Sequence, residues 1–173
     1  MNANFIWLKQ MSTFRESIEA AFRGVAHPGD DNLTVYNVEG RKYDETFQLL
    51  KNIEWTELPI TKFMHGDTPF PDLAPKAFHY FMPAFLLASL DDTLKVDVSD
   101  SLVFYLSPKY AKRTDGAFPY DNTDGYNDRM ALFNSSQRRV IIDVLNEFVR
   151  REWFDTDEIS TIIDRLELEP NDA

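Results

Sequence analysis

The stretch APKAFHYFMPAFLLASLDD, residues 74–92, decides the class of fold that this sequence adopts. Between positions 77 and 90 the clearly polar residues are His79 and Ser89, and Pro83 stands in the middle. A membrane-spanning helix needs about 20 consecutive apolar residues, and this run is too short because two aspartates end it. The stretch therefore predicts a buried core helix, and no membrane is expected among the partners.

Helical spacing of apolar residues continues through most of the chain and predicts a mostly α-helical bundle with at most a minor β element. Thr13 and Glu16 form a capping-box pair that predicts the start of the first helix. Ser135 or Ser136 is the expected N-cap of the clearest apolar stripe. The later helices are expected at about Tyr43–Asn52, at Ala77–Leu90, Leu102–Leu106 and Val140–Val149, and after Asp155 and Glu158.

A chain of 173 residues is most simply one domain. We assign residues 13–168 to a single helical domain, residues 1–12 to an N-terminal extension, and residues 169–173 to a frayed acidic tail. Met11 is an alternative start, because the first helix signal begins only after it. A connection rich in aromatic residues and proline, residues 54–75, is expected to pack onto the core.

Two short segments are expected to lie outside the helices. Residues 32–40 have the β-branched content of a short strand, although their alternation is imperfect. The segment YDNTDGYND, residues 120–128, invites a calcium interpretation. If Gly125 takes the sixth position of an EF-hand loop, Tyr120 and Ala131 occupy the first and twelfth, where carboxylates are required. The acids of this segment are therefore interpreted as turn residues, with a loosely held cation on Asp121, Asp124 and Asp128 as the alternative.

The absence of cysteine excludes disulfides, thiolate metal sites and cysteine nucleophiles. It fits a reducing cytoplasm, and the N-terminus has neither the basic stretch nor the cleavage site of a secretory signal. We therefore expect a cytoplasmic protein. The glycines never form a dinucleotide-binding motif or a P-loop, and no G-x-S-x-G or H-E-x-x-H motif occurs. On this basis we assign no catalytic residue, no metal and no cofactor.

Acidic residues outnumber basic ones 29 to 18, which gives a net charge of −11. Nucleic acid and anionic lipid repel such a molecule, so neither is an expected partner. From Glu152 onward eight acids stand against Arg165 alone. This end is either a solubilising surface or a docking face for a basic protein partner. The arginines at both ends of the helix at Val140–Val149 are interpreted as solvated surface, with a phosphate clamp as the alternative.

His79 and Tyr80 are the first candidate site. They sit in the apolar helix just before Pro83, which lacks an N–H and deprives a nearby carbonyl of its usual donor. A buried histidine at this position needs a hydrogen-bond partner. It is interpreted either as bonding a backbone carbonyl or as forming, with Tyr80, a pair that faces a ligand.

His27 is the second candidate, because it stands near Asp30 and Asp31 in the segment HPGDD. Imidazole and carboxylate together bind metal ions or transfer protons. The alternative is that these residues stabilise turns, with the carboxylates accepting backbone N–H groups. His65 and Asp67 present the same choice.

The chain also resembles a known family. The segments PGDDNL, AFHYFMPAFLLASL, LVFYLSP and SQRRVIIDVLNEF are similar to an uncharacterised bacterial domain of unknown function. The resemblance spans about Thr13 to Glu152 and implies a small, soluble, mostly helical bacterial protein. It transfers no catalytic or ligand-binding residue, because the shared motifs are mainly apolar and aromatic.

Three functional hypotheses remain open at this point. The first is a small acidic interaction module that docks or neutralises a basic protein partner, in the manner of an immunity protein. The second is a small-ligand-binding protein or an enzyme with a pocket near His79 and Tyr80. The third is a structural component, for which exposed aromatic residues in the connection would be the sign.

Overall fold

The computed structural model describes residues 3–35, 45–63, 69–94, 98–108 and 123–168, with the backbone alone at 3–10, 63 and 123–124. The α-helices in these ranges are α1 (Ala3–Ala21), α2 (Glu45–Leu50), α3 (Pro75–Ser89), α4 (Val98–Leu106), α5 (Thr123–Met130), α6 (Ser135–Arg150) and α7 (Thr156–Leu168). Pairing of β type within these ranges is limited to an isolated bridge between Thr34 and Leu73. The prediction of a mostly α-helical fold is confirmed.

Helix α3 is the central element and contacts α1, α4 and α5. Pro75 begins it, where the missing N–H costs nothing because the first turn has no intrahelical acceptor. The helix continues through Pro83 to Ser89 and is not divided there. None of the described helices has both the length and the apolar character that crossing a bilayer requires. Helix α3 is buried on nearly every side, as its composition predicts, through Ala77, Phe78, Tyr80, Phe81, Met82, Ala84, Phe85 and Leu86.

Helix α1 begins earlier than expected. The predicted start at Thr13 was wrong, since that residue lies well inside a helix that begins at Ala3. The residues before Thr13 include neither glycine nor proline, so no local signal ends the helix on that side. Ile18 and Phe22 are buried, and α1 packs against α3 and α6. The division between an extension at residues 1–12 and a domain at 13–168 stays a prediction.

Helix α6 forms as expected but has a different cap. Its N-cap is Asn134, whereas Ser135 and Ser136 are the first two helical residues. Asn134 Oδ1 accepts the backbone N–H of Gln137, and Gln137 Oε1 accepts the backbone N–H of Asn134. The helix packs against α1 and α7. Its predicted stripe is buried through Val140, Ile141, Val144, Leu145 and Phe148.

Helix α5 was not expected, because most of it falls in the segment interpreted as a turn. Tyr126 and Met130 are four residues apart and buried, and α5 contacts α3. The Arg129 guanidinium donates to the backbone carbonyls of Phe70 and Leu73. These tertiary contacts override the weak helix propensity of glycine, asparagine and aspartate in this segment.

The connection between α2 and α3 packs onto the core over the residues that are described. The 3-10 helices Trp55–Glu57 and Ile60–Phe63 both contact α3. Leu58 and Phe70 are buried, which agrees with the expectation for this segment. Outside the described residues lie 36–40 of the expected strand, Tyr43 of the second helix, His65, Asp67 and Asp121.

Candidate functional site

A hydrogen-bonded side-chain pair joins α3 to the start of α6. His79 Nε2 lies 2.9 Å from Gln137 Oε1. The same oxygen accepts the backbone N–H of Asn134 at 3.0 Å. Because this oxygen is an acceptor, Nε2 carries the ring proton of neutral His79. The partner of His79 is thus a side-chain amide and not the backbone carbonyl considered from the sequence.

Aromatic rings hold His79 in place. The ring centroids of Phe22 and Phe133 lie 5.9 and 5.0 Å from that of His79. Desolvation by burial lowers the pKa of His79 below 6.5, and the hydrogen bond to Gln137 opposes this only in part. Near neutral pH the imidazole is therefore uncharged.

His79 and Gln137 line a surface cavity of about 530 Å³, which we name the histidine cavity. It lies where the loop after α1 meets the first turns of α3 and α6. No aspartate or glutamate is among the described residues that line it. Its polar lining consists of Arg23, His27, Lys76, His79, Asn134 and Gln137.

The second predicted histidine, His27, also lines this cavity. Its Nδ1 accepts the backbone N–H of Gly29 at 3.1 Å, which places the ring proton on Nε2. Nε2 is buried and has no hydrogen-bond partner among the described residues. The ring stands edge-on to Tyr80, with the two centroids 5.1 Å apart. The described residues thus supply no acceptor for this buried imidazole donor.

The aspartates predicted to act with His27 have other positions. Asp30 pairs with Lys51, with 3.6 Å between Oδ2 and Nζ. Asp31 is exposed in the same 3-10 helix, Asp30–Asn32. Among the described residues no three histidine, aspartate or glutamate side chains converge as a metal site would require.

Tyr80 follows His79 in sequence but contacts a different part of the molecule. Its hydroxyl donates to Glu54 Oε2 at 2.5 Å. Burial, together with the hydrogen bond to the Glu54 carboxylate, raises the pKa of Tyr80 to about 12. The structure therefore brings His27 and His79 to one cavity and directs the hydroxyl of Tyr80 to the connection before α3.

A second opening of about 430 Å³, the acid–aromatic groove, lies between the end of α3, the start of α4 and the residues after α6. Its charged and aromatic lining residues are Asp91, Asp92, Asp100, Trp153 and Phe154. No lysine or arginine is among the described residues that line it. Trp153 is 39% exposed, although a large aromatic side chain is usually more deeply buried.

Arg151 contacts two of the residues that line this groove. Its guanidinium donates to Asp92 at 2.9 Å and lies 4.7 Å from the ring centroid of Trp153. The Arg151 side chain is only 10% exposed. The interpretation of the arginines near α6 as solvated surface was therefore wrong for Arg151.

Glu147 is the residue of this region that sequence reasoning missed. Its side chain is 3% exposed and accepts hydrogen bonds from Arg150 and Arg151. Burial alone would raise the pKa of Glu147, but the two guanidinium groups outweigh it and hold that pKa below its usual value. The available signal was its spacing of three and four residues from the two arginines, directly beside buried Phe148.

The described residues form a mostly α-helical protein of net charge −11, in which the histidine cavity is lined by cations and the acid–aromatic groove by carboxylates. The chain belongs to a family of unknown function (DUF6714), whose family model matches residues 10–162. The resemblance to a domain of unknown function is thereby confirmed. Neither a curated protein nor a solved structure matches the chain.

Proposed function

We propose that this protein is an interaction module that binds a basic segment of another protein in the acid–aromatic groove. The observation that supports this is the lining, in which Asp91 and Asp100 accompany Trp153 and Phe154 without a lysine or arginine among the described lining residues. A third lining carboxylate, Asp92, is already paired with Arg151. Neutralisation of a basic protein, as immunity-type proteins perform it, is the role of this kind that we favour.

A lysine or arginine side chain suits this lining for two physical reasons. Carboxylates form charge-assisted hydrogen bonds with its donors, and the face of an aromatic ring attracts a cation. Trp153 is partly exposed, yet its ring lies 5.7 Å from that of buried Phe148 and is held by Arg151. An aromatic side chain that is already anchored loses little conformational entropy when a partner binds.

The surface of α7 adds an acidic field next to the groove, because this helix begins directly after Trp153 and Phe154. Asp157 and Asp164 are seven residues apart and exposed, so they lie on one outward face. Glu167 is exposed as well. Such a field raises the rate at which a basic partner finds the groove.

Calorimetric titration with a hexa-arginine peptide tests this proposal. A hexa-glutamate peptide, which carries the opposite charge, is the control ligand. Asp91→Asn with Asp100→Asn removes two carboxylates from the lining. The charge-matched control, Glu57→Gln with Asp128→Asn, removes the same charge from exposed positions outside both the groove and α7. Asp91 Oδ1 accepts from the backbone N–H and the hydroxyl of Thr93, and asparagine retains that oxygen.

We expect the hexa-arginine peptide to bind the wild type about fivefold more tightly than the groove variant, because each exposed carboxylate contributes a fraction of a kcal/mol. The control variant should change the affinity less than about twofold, and the hexa-glutamate peptide should not bind. Equal weakening in the two variants would show that net charge alone attracts the peptide. If Trp153→Leu binds the hexa-arginine peptide as tightly as the wild type does, the indole ring does not contribute to binding, which would contradict its proposed contact with the peptide.

A further inference from the structure

We propose that the histidine cavity binds a small molecule through an anionic group, either a phosphate or a carboxylate. The site is separate from the acid–aromatic groove and does not depend on a basic partner. Arg23 and Lys76 line it, and no carboxylate is among the described residues that do so. In a protein of net charge −11 this lining creates a local positive potential, which selects an anion from solution.

The cavity also lies beside two helix N-termini. Lys76 is the second residue of α3, and Asn134 is the N-cap of α6. Both residues line the cavity. The N-cap of α3 is Ala74, which provides no side-chain cap to the first turn of that helix. The N-terminal end of a helix carries partial positive charge and backbone donors, so both helices favour an anion here.

Two imidazole rings lie in the wall of the same cavity. His27 is one of them, but its Nε2 is buried, so this ring shapes the wall and does not present a free donor to a ligand. His79 is already oriented by its contact with Gln137, so that part of the wall exists before a ligand arrives. A preformed wall lowers the entropy cost of binding.

The size and the apolar part of the lining indicate an organic molecule that carries the anionic group. A volume of about 530 Å³ lies within the range of about 300–1,000 Å³ that is typical of small-molecule sites. Val25 and Leu132 line the cavity together with the charged residues. Apolar side chains offer nothing to a bare ion but contact the carbon skeleton of a metabolite.

The test uses inorganic phosphate and succinate as separate probes of the full chain at about pH 7. Sodium chloride at equal ionic strength is the reference. The ring signals of the histidines are followed by ¹H–¹³C correlation NMR and are assigned with His27→Gln, His65→Gln and His79→Gln. We expect the His27 and His79 signals to shift saturably with at least one probe and not with chloride.

A matched pair of double variants locates the site. Arg23→Gln with Lys76→Gln removes two exposed cations from the lining and should weaken probe binding about tenfold or more, because hydrogen bonds to charged groups are the strong ones. Lys62→Gln with Arg139→Gln removes two exposed cations from elsewhere and should change the affinity less than about twofold. Since all four side chains are exposed, both variants should fold.

Absence of a saturable shift with both probes overturns the proposal, and so does equal weakening in the two double variants. A failure of the cavity proposal can be told apart from a failure of the groove proposal. If only the groove proposal fails, the double variant Asp91→Asn, Asp100→Asn still binds phosphate or succinate, and the hexa-arginine peptide binds neither this variant nor the wild type. If only the cavity proposal fails, hexa-arginine still binds both the wild type and the Arg23→Gln, Lys76→Gln variant.

Discussion

His79 Nε2 lies 2.9 Å from Gln137 Oε1, and this contact ties the central helix α3 to the first turn of α6. Gln137 Oε1 also closes the capping box by accepting the N–H of Asn134. One amide oxygen therefore stabilises a helix end and orients an imidazole in the wall of the histidine cavity. The geometry of that cavity depends on how α6 begins.

Gln137→Ala should lower the free energy of unfolding by about 2 kcal/mol. The substitution removes half of the capping box and leaves the His79 N–H without an acceptor at a position where Gln137 is 2% exposed. Urea denaturation measures the change. Ser136→Ala is the control, since its exposed hydroxyl also bonds Asn134, and it should cost less than about 0.5 kcal/mol. Equal losses would contradict a special role for the Gln137 amide.

The lowered pKa of His79 makes the folded state less stable in mild acid. As the pH falls through 6.5, the unfolded chain binds the proton first, so the stabilisation that neutral His79 provides is present above that pH and is lost below it. Gln137→Glu keeps the capping box and places a carboxylate against the ring, which should raise the pKa of His79. Histidine NMR titration checks both shifts. A His79 midpoint above 6.5 in the wild type would contradict this assignment.

Glu147→Gln should destabilise the protein by about 2 kcal/mol, because it removes the buried carboxylate partner of Arg151, whose remaining partner Asp92 is half exposed. The control is Asp143→Asn on the same helix. The pair that Asp143 makes with Arg139 is exposed, with 44% and 74% of the side chains accessible, so its loss should cost less than about 0.5 kcal/mol. Urea denaturation of both variants measures the difference. If the two costs match, the buried carboxylate contributes no more than a surface pair.

Tyr80→Phe should change how stability depends on pH in the alkaline range. Folding raises the pKa of Tyr80 from 10.0 to about 12, so the unfolded chain ionises first and the wild type loses stability as the pH rises above 10. The variant lacks this contribution and should also be about 1 kcal/mol less stable near pH 8, because the bond to Glu54 is gone. Urea denaturation at about pH 8 and pH 11 compares the two proteins. If the free energy of unfolding falls equally in the wild type and the variant between these two pH values, the raised pKa of Tyr80 is contradicted.

The helical character and the core were predictable because apolar residues recur at helical spacing wherever one face of a helix is buried. The apolar run in α3 and the stripe of Val140, Ile141, Val144 and Leu145 in α6 are buried as their spacing indicates. The connection before α3 was expected on the core because its aromatic residues need burial, and Phe70 is fully buried. These inferences depend on local composition alone.

Helix α5 was not predicted because it depends on contacts between distant residues. Helix α5 forms where Arg129 reaches the carbonyls of Phe70 and Leu73, almost sixty positions away in the chain. The cap of α6 is a local exception, because Asn134 and Gln137 are three residues apart and form a capping box, whereas the contacts of Arg129 have no counterpart in the local spacing. No periodic pattern records such pairings.

By itself the amino-acid sequence determined a helical core and an acidic exterior, because hydrophobic burial and net charge depend on which side chains are present and how they are spaced. It also supplied His27, His79 and the acids from Glu152 onward as candidates, but not the carboxylates that line the groove. Only the tertiary structure decided which of these share a site, since His27 and His79 line one cavity although they are more than fifty residues apart, while the Tyr80 hydroxyl bonds Glu54. Folding brings together charged side chains that are remote in sequence. Cations therefore line the histidine cavity, and carboxylates line the acid–aromatic groove.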